Sequence, residues 1–290
     1  MRVAAVIPVR NRPAQLLQAL RSVQGQSHSL AEIIVVDDAS TDDTLHLAST
    51  MADEDRRIRV IRHSERRGGG ASRNTGWRAS KSDWIAFLDS DDEWLPDKVA
   101  RQIECLKSNQ DAVACFTGCK TRQNTWIHRP PEDVTLFDLQ RSNVLNTTST
   151  ALVSRSALEE IGGFDEDLPS CQDWDVWIKL RTRGDIAVIP DALVYFEQTG
   201  TDRISKSYLP VVEGHTIVFA RILKDVHGLI PRLRVRAYHH ARMSWVMLND
   251  FGKPFQALVF SIRSGLQWPN GHALFLFWCS LKQLAAAIRK

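Results

Sequence analysis

The stretch "WIAFLDSDDEW", Trp84 to Trp94, sets an apolar run directly against four carboxylates, Asp89, Asp91, Asp92 and Glu93. The apolar half has the pattern of a strand buried on both faces. The acidic half is costly on its own, because like charges this close repel one another. A divalent cation relieves that repulsion, since hard ions such as Mg²⁺ and Mn²⁺ take carboxylate oxygens and bridge to phosphates. Alternation along an extended chain points Asp89 and Asp91 the same way, so one ion or its ligand can lie between them. A helix start with acidic residues for the dipole accounts for Asp92 and Glu93, which precede Pro96, but not for Asp89 or Asp91.

Outward from this stretch, the strand signal recurs. "VAAVIPV" (3–9) and "EIIVVDD" (32–38) are near-continuous apolar runs, and "IRVIR" (58–62) is a shorter one. Helical periods lie between them. Asn11 reads as an N-cap with Pro13 in the first turn, followed by Leu16, Leu17, Leu20 and Val23. Ser40 and Asp43 resemble a capping box that opens a helix through about Met51. A Gly-rich turn precedes a short helix over 72–79, and Pro96 opens a helix with Val99, Ile103 and Leu106 on one face. Alternation at this spacing predicts an α/β fold, a Rossmann-like, mostly parallel sheet with helices on both faces. Past Cys119 the pattern loosens. "STALVSR" reads as a strand, "SALEEIGGF" as a short helix, "DWDVWIKLRTRG" as a helix ended by Gly184, and "IAVIP" and "LVYFE" as short strands. From Tyr208 only helices are expected. This places a domain at 1–205 and a helical C-terminal region at 206–290.

The 290 residues are 43% hydrophobic and 24% charged, which suits one large domain with an appendage. The net charge of +3 hides an asymmetry: 12 Lys/Arg against 3 Asp/Glu after Ser205, and 25 against 31 before it. A basic tail on an acidic body points to an anionic partner for the tail, with a solvated arginine-rich helix face as the rival account. Five cysteines at irregular spacing, without zinc-type partners, read as reduced thiols of a cytosolic protein. The apolar run at the N-terminus is too short for a signal peptide, and no stretch approaches the roughly 20 apolar residues that span a bilayer.

In open α/β sheets, ligands sit at the carboxyl ends of the strands. Here those ends carry Asp37 and Asp38, then Asp89, Asp91 and Asp92, beside the loops "PVRNRP" and "GGGASRNTG". Acidic and basic groups therefore share one rim. The ordered motifs "VIPVRNRP", "EIIVVDDASTDDT", "GGGASRNTGWRAS", "WIAFLDSDDEW" and "CQDWDVWIKL" resemble those of the inverting family-2 glycosyltransferases with the GT-A fold, over about Val3 to Ser205. The resemblance implies roles. Asp38 would contact the nucleotide base. Pro8, Val9 and Arg10 would line the nucleotide pocket, with Arg73 and Asn74 facing the nucleotide. Asp89 would lie near the ribose, Asp91 would hold the metal and diphosphate, and Asp173 would be the catalytic base. It further implies Mn²⁺ or Mg²⁺ as cofactor, a nucleoside-diphosphate sugar as donor, and a glycan or glycolipid acceptor in cell-envelope synthesis.

Two departures from the family pattern stand out. Gln172 replaces the Glu that many relatives carry before the base. "YFEQTGTDRIS" lacks the late His that some relatives use on the metal, which leaves Glu197 or Gln198 as substitutes. Arg203, Ser205 and Lys206 form a basic stretch expected to close over the diphosphate. Trp174 and Trp177 share a helix face and read as core rather than as a sugar platform. Two other readings compete. A nucleotidyltransferase acting on sugar phosphates calls for a Gly-rich loop after the first strand, where this chain has "VRNRP". A non-catalytic nucleotide-sugar-binding subunit has no need to keep Asp38, Asp89, Asp91 and Asp173 together. No P-loop, dinucleotide fingerprint or nucleic-acid-binding motif is present, so nucleic acid is not an expected partner. In the tail, Arg232, Arg234, Arg236 and Arg242 lie in a helix-like stretch after Pro231; Arg232 and Arg236 fall on one side while Arg234 points elsewhere, giving a broad basic surface. With "HALFLFWCSLKQLAAAIRK" it suits peripheral contact with the inner face of a membrane; packing on the catalytic domain or a homodimer interface is the rival.

Overall fold

The computed structural model describes residues 1–198, 207–269 and 271–288. Strand β1 (Val3–Val9) is buried almost throughout, as a central strand covered on both faces must be. β2 (Glu32–Asp37) and β3 (Ile58–Arg62) follow on one side and β4 (Trp84–Phe87) lies on the other, all parallel. Helices α1 (Pro13–Gln24), α2 (Thr44–Glu54) and α3 (Gly69–Ala79) make the crossovers. The chain continues through β5 (Glu93–Trp94), α4 (Lys98–Ser108), β6 (Ala112–Lys120), β7 (Ile127–His128) and α5 (Leu136–Arg141). A 3₁₀ turn (Thr148–Thr150) leads into β8 (Ala151–Ser154), then α6 (Arg155–Ile161), α7 (Gln172–Arg181) and β9 (Asp185–Tyr195). Among the described residues the sheet order is β3-β2-β1-β4-β8-β6-β9-β5, with β7 on β6. β8 runs antiparallel between β4 and β6, so the sheet is parallel in its first half and mixed in its second.

Several local readings change. Asn11 has φ 52°, and the N-cap of α1 is Arg12. The Ser40–Asp43 capping box does not form: α2 starts at Thr44, whose N–H and hydroxyl both donate to Asp42. Ser40 Oγ instead accepts the Asn11 N–H at 3.0 Å, which joins the loops after β1 and β2. Helix α3 begins at Gly69, three residues earlier than expected. The two short strands around Pro190 are one, β9, whose pairing with β6 shifts register between Thr117 and Gly118.

Alternation on β1 explains the layering. Val3, Ala5, Ile7 and Val9 share a core with Leu16 and Leu20 of α1 and with Val99 and Leu106 of α4. On the other face, Val6 meets α3 at Gly76, where a Cβ would stand 2.3 Å from Val6 Cγ1. Glycine is what lets this helix lie so close to the central strand.

Contacts divide the chain into two compact units. The first takes in Met1–Leu136, Val144–Leu168 and Gln172–Gly200; the second takes in Phe137–Asn143, Pro169–Cys171 and Thr201–Lys290. The expected boundary at Ser205 lies outside the described residues, as do Arg203 and Lys206. The second unit holds α8 (Tyr208–Asp225), α9 (Leu229–Asn249), α10 (Pro254–Gln267) and α11 (Gly271–Ile288). Its core gathers Val211, Val246, Met247, Ala257 and Leu276. Of the arginines of α9, Arg232, Arg234 and Arg236 are half-buried, with Arg234 over the rings of Phe137 and Trp268, while Arg242 is exposed and lies over the Trp245 ring. No helix among the described residues is long and apolar enough to cross a membrane.

Gly76→Ala gains helix propensity, about 1 kcal/mol, but forces a methyl into Val6, and overpacking of this kind costs about 1–3 kcal/mol. The variant is expected to be less stable in chemical denaturation. Gly265→Ala on α10, where no atom lies within 4 Å of the new methyl, is the control and should be neutral or stabilising. Equal behaviour of the two would show that the Gly76 contact is not tight.

Candidate active site

Three strand ends and the start of α3 converge in the first unit. The turn after β4 carries the carboxylates, and each is relieved differently. Asp89 accepts Arg73 Nη2 at 2.5 Å and Thr148 Oγ1 at 3.0 Å, while its own N–H donates to Ser149 Oγ. Asp91 forms an ion pair with Arg12 Nη1 at 2.8 Å. Asp92 turns inward and is buried. Its oxygens accept Ser149 Oγ at 2.6 Å and the Glu197 N–H at 3.0 Å. Burial first, then the charges of Asp89 and Asp91, push the Asp92 carboxyl well above the usual carboxylate range. Glu93 leaves the cluster altogether: it sits in β5 opposite Tyr195 and meets Arg122. The helix-start account of Asp92 and Glu93 therefore fails, because α4 opens later, at Lys98 with Asp97 as N-cap.

Beneath this turn lies Lys98, fully buried. Its Nζ donates to Gln102 Oε1 at 2.9 Å and sits 4.3 Å from the Trp94 ring centroid. Burial lowers its pKa to about 7. Trp94 Nε1 donates to Ser149 O, and Gln102 Nε2 donates to Thr150 O. The run Thr147–Thr150, four buried hydroxyl residues in succession, is thus the support of the acidic turn. Sequence reading passed over it, although such a run beside a strand was the available signal.

On the neighbouring strand, Val9 O accepts the Asp38 N–H at 2.9 Å. The Asp38 carboxylate accepts His63 Nδ1 at 2.9 Å and the N–H groups of Arg67 and Gly68 at 2.8 Å each. Burial opposes its ionisation, but these bonds outweigh it and hold the carboxyl below its ordinary range. The other ring nitrogen, His63 Nε2, pairs with Thr75 Oγ1 at 2.9 Å. Asp37 is fully buried, and its Oδ1 has no hydrogen-bond partner.

Asn74 is 1% exposed and uses its whole amide within the protein. Nδ2 donates to Phe164 O and Glu166 Oε1, and Oδ1 accepts Trp77 Nε1 and the Phe164 N–H, all between 2.8 and 3.0 Å. It is a strut between α3 and the turn after α6. Arg73, one residue earlier, does reach the rim, where Arg10 also lies. The Nε atoms of Arg10 and Arg73 are both buried without a hydrogen-bond partner. Pro8 is half-buried and Val9 is buried.

Asp173 lies in the first turn of α7 and is half-buried. Gln172 fixes where α7 begins: its Nε2 donates to Leu168 O at 2.7 Å, and its amide packs on Gly70, where a Cβ would meet it at 3.0 Å. Gly69 is similarly covered by the Arg73 guanidinium. A continuous line of contact thus runs from Asp89 through Arg73 and the α3 glycines to the start of α7. Trp174 and Trp177 are buried, and Trp177 meets Phe116 edge-on at 4.7 Å, so both are core.

Among the described residues no three His, Cys, Asp or Glu side chains converge as a metal cage. Asp89 and Asp91 are hard oxygen donors, with side chains 28% and 14% exposed. They fit an ion that completes its shell with phosphate oxygens and water, as Mg²⁺ and Mn²⁺ do, and not a structural zinc. Glu197 reaches the cluster through its backbone, and Gln198 is exposed.

The model of the family "Glycosyl transferase family 2" matches residues 4–162. The chain is 30% identical over 188 residues to a Bacillus subtilis protein named "Putative teichuronic acid biosynthesis glycosyltransferase TuaG", covering 63% of this chain and 73% of that one. It is 27% identical over 184 residues to an uncharacterized glycosyltransferase of Haemophilus influenzae, covering 61% of each. This chain therefore spans less than two thirds of the Haemophilus relative. Among solved structures, S. aureus TarS 1-349 superposes with a TM-score of 0.71 at 17% identity, covering 99% of this chain and 92% of that one. The mannosyltransferase PcManGT from Pyrobaculum calidifontis, in complex with GDP-Man and Mn²⁺, superposes with a TM-score of 0.68 at 20% identity, covering 99% and 86%.

Two measurements check this geometry. Asn74→Ala leaves the Phe164 N–H and C=O and the Trp77 N–H unpaired. Each buried orphan costs about 1–3 kcal/mol, so with three of them a loss of at least roughly 3 kcal/mol in stability is expected, with nucleotide affinity kept well below the melting temperature. A stable variant that has lost nucleotide binding would make Asn74 a ligand contact instead. For Lys98, the unfolded side chain stays protonated to about pH 10 while the folded one titrates at about 7. The unfolded state thus holds more protons between those values, and stability rises with pH by up to about 1.4 kcal/mol per unit. Denaturant midpoints between about pH 7.5 and 9.5 should rise more steeply in the wild type than in Lys98→Met, with the Cys105 thiol, itself lowered to about 7, leaving a smaller rise in the variant.

Proposed function

The chain belongs to glycosyl transferase family 2, and from that premise we propose that it moves a sugar from a nucleoside-diphosphate sugar to an acceptor hydroxyl with inversion at the anomeric carbon. It has the GT-A fold. The observation that carries the reading is the rim itself. Asp89 and Asp91 stand beside Arg73 and Arg12, with the buried Nε atoms of Arg10 and Arg73 still lacking an acceptor. A diphosphate supplies acceptors for those donors, and a hard cation balances the carboxylates.

The nucleotide side of the proposed site is built from Pro8, Val9 and Arg10 at the end of β1, Asp38 at the end of β2, and Arg73 and Asp89. Asn74 acts there by holding the 164–166 turn. Asp91, with Asp89 beside it, would hold Mn²⁺ or Mg²⁺, which when bound stabilises negative charge on the leaving diphosphate. The Mn²⁺ of PcManGT supports this choice of ion class. Arg12 and Arg73 keep the two carboxylates in place until the donor arrives. Asp173 accepts the proton of the acceptor hydroxyl as its oxygen attacks the anomeric carbon. The new C–O bond forms as the bond to the diphosphate breaks, and the leaving group departs as the nucleoside diphosphate. One displacement of this kind inverts the centre and needs no covalent intermediate. The relation to TuaG supports a cell-envelope polysaccharide or glycolipid as acceptor.

The test pairs binding with turnover. In calorimetry with nucleoside diphosphates and Mn²⁺, affinity should fall sharply on adding a chelator or in Asp91→Asn. Asp173→Asn should bind donor as the wild type does but lose about 10²- to 10⁴-fold in turnover. A role for Asp173 confined to the helix dipole predicts only about 0.3–1 kcal/mol of lost stability with activity kept. Release of pyrophosphate in place of nucleoside diphosphate would overturn glycosyl transfer.

A further inference from the structure

Helices α10 and α11 are built inside out relative to a helix packed on a water-facing domain. On α10 the buried positions are Ala257, Ser261 and Ser264, while Phe255, Ile262 and Leu266 face outward, Leu266 with 82% of its surface exposed. Positions 255, 262 and 266 fall on a single stripe at 3.6 residues per turn. On α11 the buried residues are Ala273, Leu276 and Ser280, while Leu274, Phe275 and Trp278 are exposed, the last two by 62% and 56%. The inward serines satisfy their hydroxyls on backbone carbonyls: Ser261 on Leu258, Ser264 on Ala237 and Ser280 on Leu276. The two outward stripes border an open apolar groove of about 600 Å³, lined by Ile262, Gly265, Pro269, Ala273, Leu274 and Phe277.

Charge identifies what covers this face. From Phe251 to Lys290 there are five Lys or Arg and no Asp or Glu. Arg263 and Lys282 are exposed, next to Ile262 and one turn beyond Trp278. A second copy of the chain would bury the stripe but bring its own cations against these, with no carboxylate in either copy's hairpin to balance them. An anionic lipid surface offers hydrocarbon to the stripe and phosphates to the cations. Small and hydroxyl side chains between the helices, with large apolar ones outside, are also how helices pack where the surroundings are lipid. Neither helix is long and apolar enough to cross a bilayer.

We propose that the α10–α11 hairpin lies in the plane of an anionic membrane surface. Phe255, Ile262, Leu266, Leu274, Phe275 and Trp278 enter the acyl region, the groove takes a lipid chain, and Arg263 and Lys282 sit at the level of the headgroup phosphates. The assignment is independent of the sugar transfer proposed above.

The full chain is floated with vesicles of phosphatidylcholine alone and of an equimolar mixture with phosphatidylglycerol, at ionic strengths of about 0.05 M and about 0.5 M. The expected result is at least roughly tenfold stronger partition onto the anionic vesicles at low salt, weakened several-fold at high salt. A variant carrying Leu266→Ser, Phe275→Ser and Trp278→Ser changes only exposed side chains and should melt as the wild type does. Its partition should fall by at least roughly tenfold. Phospholipids brominated on the acyl chains should quench more emission in the wild type than in Trp278→Phe. The proposal is overturned if the wild type fails to bind anionic vesicles at low salt, or if the triple variant binds equally well. It is also overturned if light scattering finds a wild-type dimer that the triple variant abolishes, which would make the face a self-interface.

Discussion

Mutual repulsion among Asp89, Asp91 and Asp92 is the constraint around which the first unit is arranged. Relief comes from three directions. Arg73 arrives from α3, Arg12 from the loop after β1, and Ser149 from the 3₁₀ turn before β8. Each must be placed by its own element, so the close approach of α3 to β1 at Gly76 is a condition of the site and not only of the core. Burying Asp92 is the least comfortable part. Its carboxyl resists ionisation, yet its two oxygens tie the 3₁₀ turn and the chain after β9 to the acidic turn. That tie gives the half-buried pair, Asp89 and Asp91, a fixed base.

The first half of the sheet was legible because parallel strands covered on both faces leave continuous apolar runs, as in Val3–Val9. β6 and β9 were harder to read. β6 carries Thr117 and Gly118, and β9 runs through Pro190 and Asp191 at the place where the pairing slips register. A proline beside a register shift looks like a strand end in sequence, and two strands were expected where one exists. The glycines before Ser72 looked like a turn, yet they form the first turn of α3, where Gly70 leaves room for Gln172.

In the site, charge was legible and partnership was not. The carboxylates at the ends of β2 and β4 could be listed from sequence, as could the arginines of the loop after β1. That Asp89 leans on Thr148 and Ser149, 59 and 60 residues away, could not. Asn74 shows the opposite limit. A motif position indicates that a residue matters without saying whether it touches a ligand or braces the wall behind it, and here its four bonds all run inward. Asp38 stands between the two cases, with a motif position at the rim and a carboxylate already engaged by three donors.

That engagement makes the 67–68 turn a built-in reporter. The Arg67 and Gly68 amide protons are held by the Asp38 carboxylate and by no strand or helix ladder. Any ligand that takes an oxygen of Asp38 must share it with one of those amides or release it to water. Hydrogen exchange at residues 67 and 68, or the chemical shifts of their amides, therefore registers occupancy of the rim without a label and without turnover. A ligand that bound only through the acidic turn would leave both amides as they are. Two backbone positions are thus enough to separate a ligand held at Asp38 from one held only at the acidic turn.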